Sequence, residues 1–550
     1  MARLKEFSIE NYKSIGEQIT IKFPENAPIV LIGENNAGKS NIVRAIDLLF
    51  GDFHPAYKDM DDHDYYGRTP SNRITIDAAM TDVSGQLSDY GNPIGCSGLK
   101  FISVKGTKNK LIGIRSDNGS DCSYFKTDVR GEIKCVVVNS EYSLSYQLSY
   151  SSKYTLLSKL TKAFHNKLTS DDKKVEELKG LFSDIKNSFN NIPEFKDFQE
   201  DMSKVAGSIM DCMSHALKFD FSAYDPSNYF KTLKVSPTEN GEVRTFEELG
   251  TGQQQVLALA FAQAYAKSFL NDGLIFIFDE PEVNLHPLAQ KWLAKKINEL
   301  AYSGIQVIIS THNSHFINLQ NISALYLVSK VNGSTIVKNV DEDKLYEHCL
   351  KTGSNPEKTT PHTVVPFYAN QSTPKILNGL FAKKVVLVEG LTEELSLPIW
   401  CERLGFDTME RGIEFISVEG KSNLSKWWRF FNVYNIPTFV IFDNDHKLGN
   451  EFNYDKALKE SHFPEELIKD LITAKEWLIQ DHFLSFGTNY EVTMRNSFPD
   501  YLDIEKSQAD LYGTASKHII AKETARLVDL SKRTRGLEML NVLIDYLGRL

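Results

Sequence analysis

The chain has 550 residues, with 62 Lys+Arg against 72 Asp+Glu and a formal net charge of −10. At roughly 100–200 residues per domain the length implies about three or four structural units, and 41% hydrophobic with 24% charged residues excludes wholesale disorder and collagen-like repeats. No apolar run approaches the roughly 18–20 residues of a membrane span, and the acidic balance taken alone argues against a nucleic-acid binder.

Residues 3–23 read as two short alternating strands around a turn at Ser14–Glu17. PIVLI (28–32) is a continuous apolar run of strand length closed by Gly33, and Lys39 to Phe50 then follows helical spacing through Ile42, Val43, Ile46 and Leu49. The polar stretch 51–72 reads as an exposed loop. RITIDAAM (73–80), LIGIRS (111–116) and IKCVVVNS (133–140) read as strands joined in hairpins. These elements make up a first part, 1–150. Composition then shifts to Lys, Leu, Asp and Glu with helical periodicity, which predicts a helical insertion over 151–220 and a candidate dimerisation element. A helix pattern from 246 and three apolar strand candidates, LIFIFDE (274–280), QVIISTH (306–312) and ALYLVSK (324–330), complete an α/β unit with a mainly parallel sheet over 221–350. The Pro-, Thr-, Ser- and Asn-rich segment 351–380 predicts a linker. After it α/β alternation restarts over 381–550 with KKVVLVEG (383–390), IEFISVEG (413–420) and PTFVIFDND (437–445).

Gly33 to Ser40 (GENNAGKS) fits GxxxxGK[ST] between a strand and a helix. The glycines let backbone N–H groups curl around phosphate oxygens, and the following helix N-terminus adds its positive dipole. Gly33, Asn35, Asn36, Gly38, Lys39, Ser40 and Asn41 form the candidate ATP site, with Lys39 on the β/γ-phosphates and Ser40 on Mg²⁺. The apolar run Ile275 to Phe278 delivers Asp279 to the Mg²⁺ side, and Glu280 is the candidate base that polarises the attacking water. Glu248 to Gln254 (ELGTGQQ), with Gly250, Gly252 and Gln253, resembles the signature of ABC ATPases, PEVNLHP (281–287) resembles the loop after their acidic pair, and His312 stands where they carry a switch histidine. ELGTGQQ departs from the transporter form and points to the chromosome-maintenance and repair branch, as does the opening LKEFSIENYKSI. A signature of that kind implies ATP held between two heads, and hence a homodimer or higher homo-oligomer.

The second unit carries a different chemistry. Glu389 ends one apolar strand and Glu393 follows it, a spacing that turns both carboxylates to one site if a helix starts after Gly390. Asp443 and Asp445 end another strand, where alternate residues share a face. Hard oxygen ligands without His or Cys suit Mg²⁺ or Mn²⁺, and such a cation polarises a phosphodiester. Glu389-Gly390 followed by Asp443-x-Asp445 resembles the Toprim domain, with SVEGKSN (417–423) between them as a second Gly-containing strand-to-loop passage.

A repair-type ABC ATPase followed by a Toprim domain resembles the OLD family (overcoming lysogenisation defect) of ATP-dependent nucleases, a broad group that includes prophage, retron-associated and Gabija-type nucleases. The resemblance covers nearly the whole chain. It implies a metal-dependent DNA endonuclease under the control of dimerised ATPase heads, a role in bacterial anti-phage defence, and a defence-system protein or retron nucleic acid as further partners. By the same resemblance Glu389, Glu393, Asp443 and Asp445 match the metal ligands, Glu491 a downstream acidic ligand, and Lys517 a late catalytic lysine, with Lys522 the alternative because Lys517 is followed by His518 rather than Pro. The late cluster Lys517, Lys522, Arg526, Lys532, Arg533 and Arg535 is a candidate DNA-backbone track. Competing readings are a topoisomerase or primase, for which neither a nucleophilic tyrosine nor zinc ligands stand out, and an ATP-gated DNA clamp with an inert Toprim domain. Six scattered cysteines without a CxxC pair predict reduced thiols in a cytoplasmic protein.

Overall fold

The computed structural model describes residues 2–139 (except 52 and 70), 273–443 (except 284), 478–480 and 482–550 (except 514 and 515), with isolated positions between 170 and 264. The chain divides into one unit of Met1–Val137 with Asn271–Leu550 and a second of Val138–Leu270. Most of the predicted helical insertion and most of the helix after 246 lie outside the described residues.

Three sheets order the first unit. The N-terminal strands Arg3–Glu10 and Ile19–Lys22 pair antiparallel as expected, and they continue through Ile74–Thr81, Asn92–Ser103 and Lys110–Arg115. Alternation decides which face is buried: Ile74, Ile76, Ala78 and Met80 face the core while the residues between them face outward. Ile133–Asn139 does not join these hairpins. It lies at the edge of the second sheet, whose order is Ser334–Asn339, Leu325–Val331, Ile29–Ile32, Gln306–Thr311, Gly273–Asp279, Ile133–Asn139. The four central strands of that sheet run parallel, with buried apolar stretches at 29–32, 274–278, 307–309 and 325–328, as expected of strands covered on both faces. The helix Lys39–Phe50 packs Ile42, Val43, Ile46 and Leu49 into the same core.

Two segments carry more structure than their composition suggests. The stretch 51–72 is not simply an exposed loop: Asp64 and Tyr65 are buried, with Lys13 Nζ 2.6 Å from Asp64 Oδ1 and the Tyr65 hydroxyl 2.9 Å from Ser103 Oγ. The segment 351–380, expected as a linker, contains helices. Proline serves as first-turn residue in the helices Pro361–Gln371 and Pro374–Leu377, where its missing N–H costs nothing, and Val364, Val365 and Tyr368 are buried. The same residues that suggest a linker therefore start helices here.

The third sheet, Ile413–Ser417, Lys384–Val388, Thr438–Asp443, Phe483–Phe486, Leu478–Gln480, is parallel in its first four strands and antiparallel in the last. Its core is built round Trp400, Tyr490 and Phe498, with the Trp400 and Phe498 rings stacked at 5.0 Å. From Lys384–Val388 the chain moves to one side, to Ile413–Ser417, and then crosses to the other, to Thr438–Asp443. The order thus reverses between the two strands that end in Glu389 and Asp443. A crevice at the carboxyl ends of parallel strands, at such a reversal, is where α/β sheets bind ligands.

Candidate functional sites

Both predicted sites lie at carboxyl ends of parallel strands. In the ATPase sheet, Ile29–Ile32 runs into the phosphate loop, Gly273–Asp279 ends at Asp279 and Gln306–Thr311 ends beside His312. Only glycine fits the two ends of the loop. Gly33 has φ +145° and an added Cβ would stand 2.0 Å from the Val328 carbonyl oxygen; Gly38 has φ +113° and its Cβ would stand 2.1 Å from Thr335 Oγ1. The helix after Gly38 has no side-chain cap and no acid in its first turn, so its N-terminal dipole is open to an anion.

Lys39 is buried, with Nζ donating to the carbonyls of Gly33 (2.8 Å) and Glu34 (3.0 Å). Burial lowers its pKa, while Glu280 and Asp279 act in the opposite direction. Asp279 is raised chiefly by burial, and its Oδ1 is buried without a hydrogen-bond partner. A desolvated lysine, an orphaned carboxylate oxygen and a cradle that excludes any Cβ fit a Mg²⁺-nucleotide, with Lys39 for phosphate and Ser40 and Asp279 for the cation. Asn36 adopts the left-handed conformation at φ 63°, and Asn41 Nδ2 donates to Ser14 Oγ at 2.7 Å.

Glu280 also has positive φ, 52°, and its N–H donates to the Ser310 carbonyl at 2.8 Å. His312 Nδ1 lies 4.0 Å from Glu280 Oε1 and 3.4 Å from Glu282 Oε1. Sequence reading overlooked Glu282. It is 5% exposed, and Oε1 accepts from the Thr311 hydroxyl (2.7 Å) and the His312 N–H (3.0 Å). Thr335 was also overlooked: its Oγ1 donates to Ala37 O in the phosphate loop at 2.9 Å and lies 2.7 Å from Ser14 Oγ. Only the burial of acid and hydroxyl groups distinguishes these residues, and burial is a tertiary property. Of the signature residues, Gly250 N–H donates to Gln253 Oε1 at 3.2 Å; Gly252 lies outside the described residues.

In the third sheet the carboxylates meet through the backbone. Glu389 Oε1 accepts from Asp443 N (2.9 Å), and Asp443 Oδ1 accepts from Tyr490 N (3.0 Å), which brings the residue before Glu491 to the site. Glu393 opens the helix Leu391–Arg403, its Oε2 accepting from Gly390 N at 3.2 Å. It is 5% exposed, and its carboxyl is raised to about 7 by burial, with repulsion from Glu389 and Glu491 adding to the shift. Glu389, Glu393 and Glu491 are therefore one electrostatic group. The loop at 417–421 supports it: Gly420 N–H donates to the Glu389 carbonyl at 2.9 Å and Lys421 Nζ donates to the Asp443 carbonyl.

Among the described residues no three His, Cys, Asp or Glu side chains close to metal-holding geometry, and Asp445 lies outside them. The carboxylates instead accept backbone N–H bonds. An all-oxygen set with one desolvated member nevertheless fits a hard divalent cation, whose charge would relieve the mutual repulsion. Lys517 is exposed at the start of the helix Lys517–Leu527, Lys522 lies within it, and neither pairs with these carboxylates among the described residues. In the basic cluster Arg526 pairs with Glu523, Lys532 with Asp529, and Arg533 and Arg535 with Glu538. These local pairs temper its cationic field.

Comparison with known proteins agrees with this division. Residues 380–445 match the model described as overcoming lysogenization defect protein-like, TOPRIM domain, and residues 3–90 and 136–317 match an AAA ATPase domain. The Old nuclease of Escherichia phage P2 is 26% identical over 476 residues, 80% of this chain and 77% of that protein. The OLD nuclease of Thermus scotoductus is 23% identical over 457 residues, 80% of this chain and 82% of that protein. Endonuclease GajA of Bacillus cereus is 21% identical over 72% of this chain and 66% of its own. Among solved structures, the Smc head domain from Pyrococcus furiosus is 14% identical with a TM-score of 0.40, covering 64% of this chain and 99% of that one. Among the described residues no helix is long and apolar enough to cross a membrane.

Proposed function

We propose that this chain, which carries the AAA ATPase and OLD-like TOPRIM domains of the OLD nucleases, is an ATP-regulated, divalent-metal-dependent DNA endonuclease. The observation that carries the reading is the linkage of acidic residues at the reversal point of the third sheet: the Asp443 N–H donates to Glu389, and Glu393 is repelled by Glu389 and Glu491. When bound there, Mg²⁺ or Mn²⁺ supplies Lewis acidity and charge neutralisation at a phosphodiester. Glu389, Glu393, Asp443, Asp445 and Glu491 hold the cation and fix its position. The Asp443 backbone N–H holds the Glu389 carboxylate, and the Tyr490 N–H holds the Asp443 carboxylate, before any ligand arrives. Lys517 or Lys522 supplies the cation near the scissile phosphate.

At the nucleotide site Lys39, which donates to the carbonyls of Gly33 and Glu34, would bind phosphate oxygens, and Ser40 and Asp279 would hold the Mg²⁺. Glu280 orients and polarises the attacking water. His312, held by Glu282, reaches the γ-phosphate end. Gly250, Gly252 and Gln253 act on nucleotide in a second head, so the working form is a homodimer or larger, with 151–220 joining the copies. The setting we infer is cytoplasmic anti-phage defence.

The deciding experiment incubates purified protein with supercoiled and linear DNA, Mg²⁺ or Mn²⁺, with and without ATP. Cleavage that Asp443→Ala and Asp445→Ala both abolish while ATP hydrolysis continues is the expected result. Cleavage unchanged in both variants would reject the site.

A further inference from the structure

A cavity of about 330 Å³ lies between the segment following the ATPase sheet and the TOPRIM helix Lys421–Val433, and none of its lining residues belongs to the phosphate loop or to the proposed metal-ligand set. Eleven residues line it; three are cations, Lys358, Lys426 and Arg429, and none is acidic. Hydroxyl groups of Ser354, Thr359 and Thr363 complete the polar wall, and Phe367 supplies an aromatic face. We propose that this cavity is a binding site for a phosphorylated small molecule of about one nucleotide in size.

The charge argument is direct. Like charges brought round one cavity repel, and burial adds a penalty for each charged form. Arg429 is 2% exposed and is lowered chiefly by burial; Lys426 is lowered by burial and then by Arg429 itself. Nε and Nη2 of Arg429 donate to the Thr352 carbonyl at 3.1 and 3.0 Å, at the C-terminal end of the helix Glu342–Lys351. That clamp fixes the guanidinium in the cavity wall. Lys426 Nζ sits 4.8 Å over the Phe367 ring and 3.3 Å from Asn423 Oδ1. A phosphate dianion is the ligand chemistry that such a wall suits, since guanidinium, ammonium and hydroxyl groups all donate to it. The volume stands at the lower bound of small-molecule sites, roughly 300–1,000 Å³, and so suits a ligand the size of one mononucleotide and not a duplex.

The location gives the ligand something to act on. Lys426 and Arg429 lie on the helix that begins with Lys421, whose ammonium donates to the Asp443 carbonyl at the carboxylate group. The opposite wall follows the edge strand Ser334–Asn339 of the ATPase sheet by way of the helix Glu342–Lys351. A molecule bridging these walls therefore joins the segment that follows the ATPase sheet to the helix that supports the proposed metal site.

The test is isothermal titration calorimetry on the full chain carrying Lys39→Ala, which removes the phosphate-loop contribution, in the presence of a chelator. The probes are deoxyadenosine monophosphate, inorganic phosphate and deoxyadenosine. The monophosphate should bind once per chain, and deoxyadenosine at least tenfold more weakly. Adding Lys358→Ala and Lys426→Ala should weaken monophosphate binding at least tenfold with an unchanged melting temperature. Lys358 is exposed, so Lys358→Glu alone provides a second variant with little risk to folding. Inorganic phosphate binding as tightly as the monophosphate would support the site and identify free phosphate as its source. Absence of binding by both phosphates at millimolar concentration overturns the proposal, as does equal affinity for deoxyadenosine or affinity unmoved by the cavity substitutions. DNA cleavage enters none of these readouts, so failure here leaves the nuclease reading untouched.

Discussion

Glu393→Gln should make the metal-free TOPRIM unit more stable at alkaline pH while removing its response to Mg²⁺. The wild-type carboxyl lies at about 7 in the folded chain against an ordinary value of 4.5. Because the folded value is the higher one, the native state keeps a proton that the unfolded chain releases, and stability falls as pH rises between those two values. At about 1.4 kcal/mol per unit, the full cost above pH 7 is on the order of 3 kcal/mol. Glutamine keeps the shape and cannot ionise, so it avoids that cost. The assay is urea unfolding at pH 5 and pH 8 with chelator, followed by intrinsic fluorescence, to which the buried Trp400 and Trp427 of this unit contribute. A local probe matters because a chain with several units does not unfold in one step. The wild type should lose stability from pH 5 to pH 8 relative to the variant. At pH 8, Mg²⁺ at a hundred times its Kd should restore about 2.7 kcal/mol to the wild type only. Glu491→Gln should produce a smaller shift of the same sign, since Glu491 contributes to raising the Glu393 carboxyl. Parallel pH dependence in wild type and Glu393→Gln, or equal stabilisation of both by Mg²⁺, would refute the reasoning.

Other outcomes follow from single contacts. Glu280→Gln should bind ATP with near wild-type affinity but turn over on the order of a hundredfold more slowly; a normal rate in a steady-state phosphate-release assay would remove it as the base. Glu282→Ala should lower thermal stability, since the Thr311 hydroxyl and the His312 N–H lose their acceptor, at a cost of about 1–3 kcal/mol. The same variant should slow ATP turnover through His312, and Glu282→Gln, which keeps an acceptor oxygen, should recover much of both. Gly33→Ala should lose nucleotide binding and destabilise the head, because its Cβ meets the Val328 carbonyl 2.0 Å away; equilibrium ATP binding and a melting curve read both effects.

The net charge of −10 first suggests a protein indifferent to nucleic acid. Position changes its meaning: the acids at 279, 280, 282, 389, 393, 443 and 491 gather at two strand-end sites, where bound cations would offset them. The late basic cluster moves in the other direction, since neighbouring acids already pair with Arg526, Lys532, Arg533 and Arg535.

Local order was legible wherever period and punctuation agreed. The helix Lys39–Phe50 follows from its apolar spacing after a glycine, and the strands ending at Asp279, Thr311, Val388 and Asp443 follow from apolar runs of strand length. Strand-end placement then brought Glu389 and Asp443 into view without any contact being known. What periodicity could not reveal was pairing. Ile133–Asn139 reads as one more hairpin strand yet lies beside Gly273–Asp279 in the other sheet, a choice made by long-range packing. Likewise the proline- and threonine-rich segment 351–380 has the composition of a linker, but Pro361 and Pro374 occupy first helical turns and Val364, Val365 and Tyr368 are buried. Glu282, Thr335 and the cationic cavity around Arg429 were invisible for the same reason. Each is defined by burial among residues distant in sequence, and burial, which turns an ordinary side chain into a costly and therefore specific one, exists only once the chain has folded.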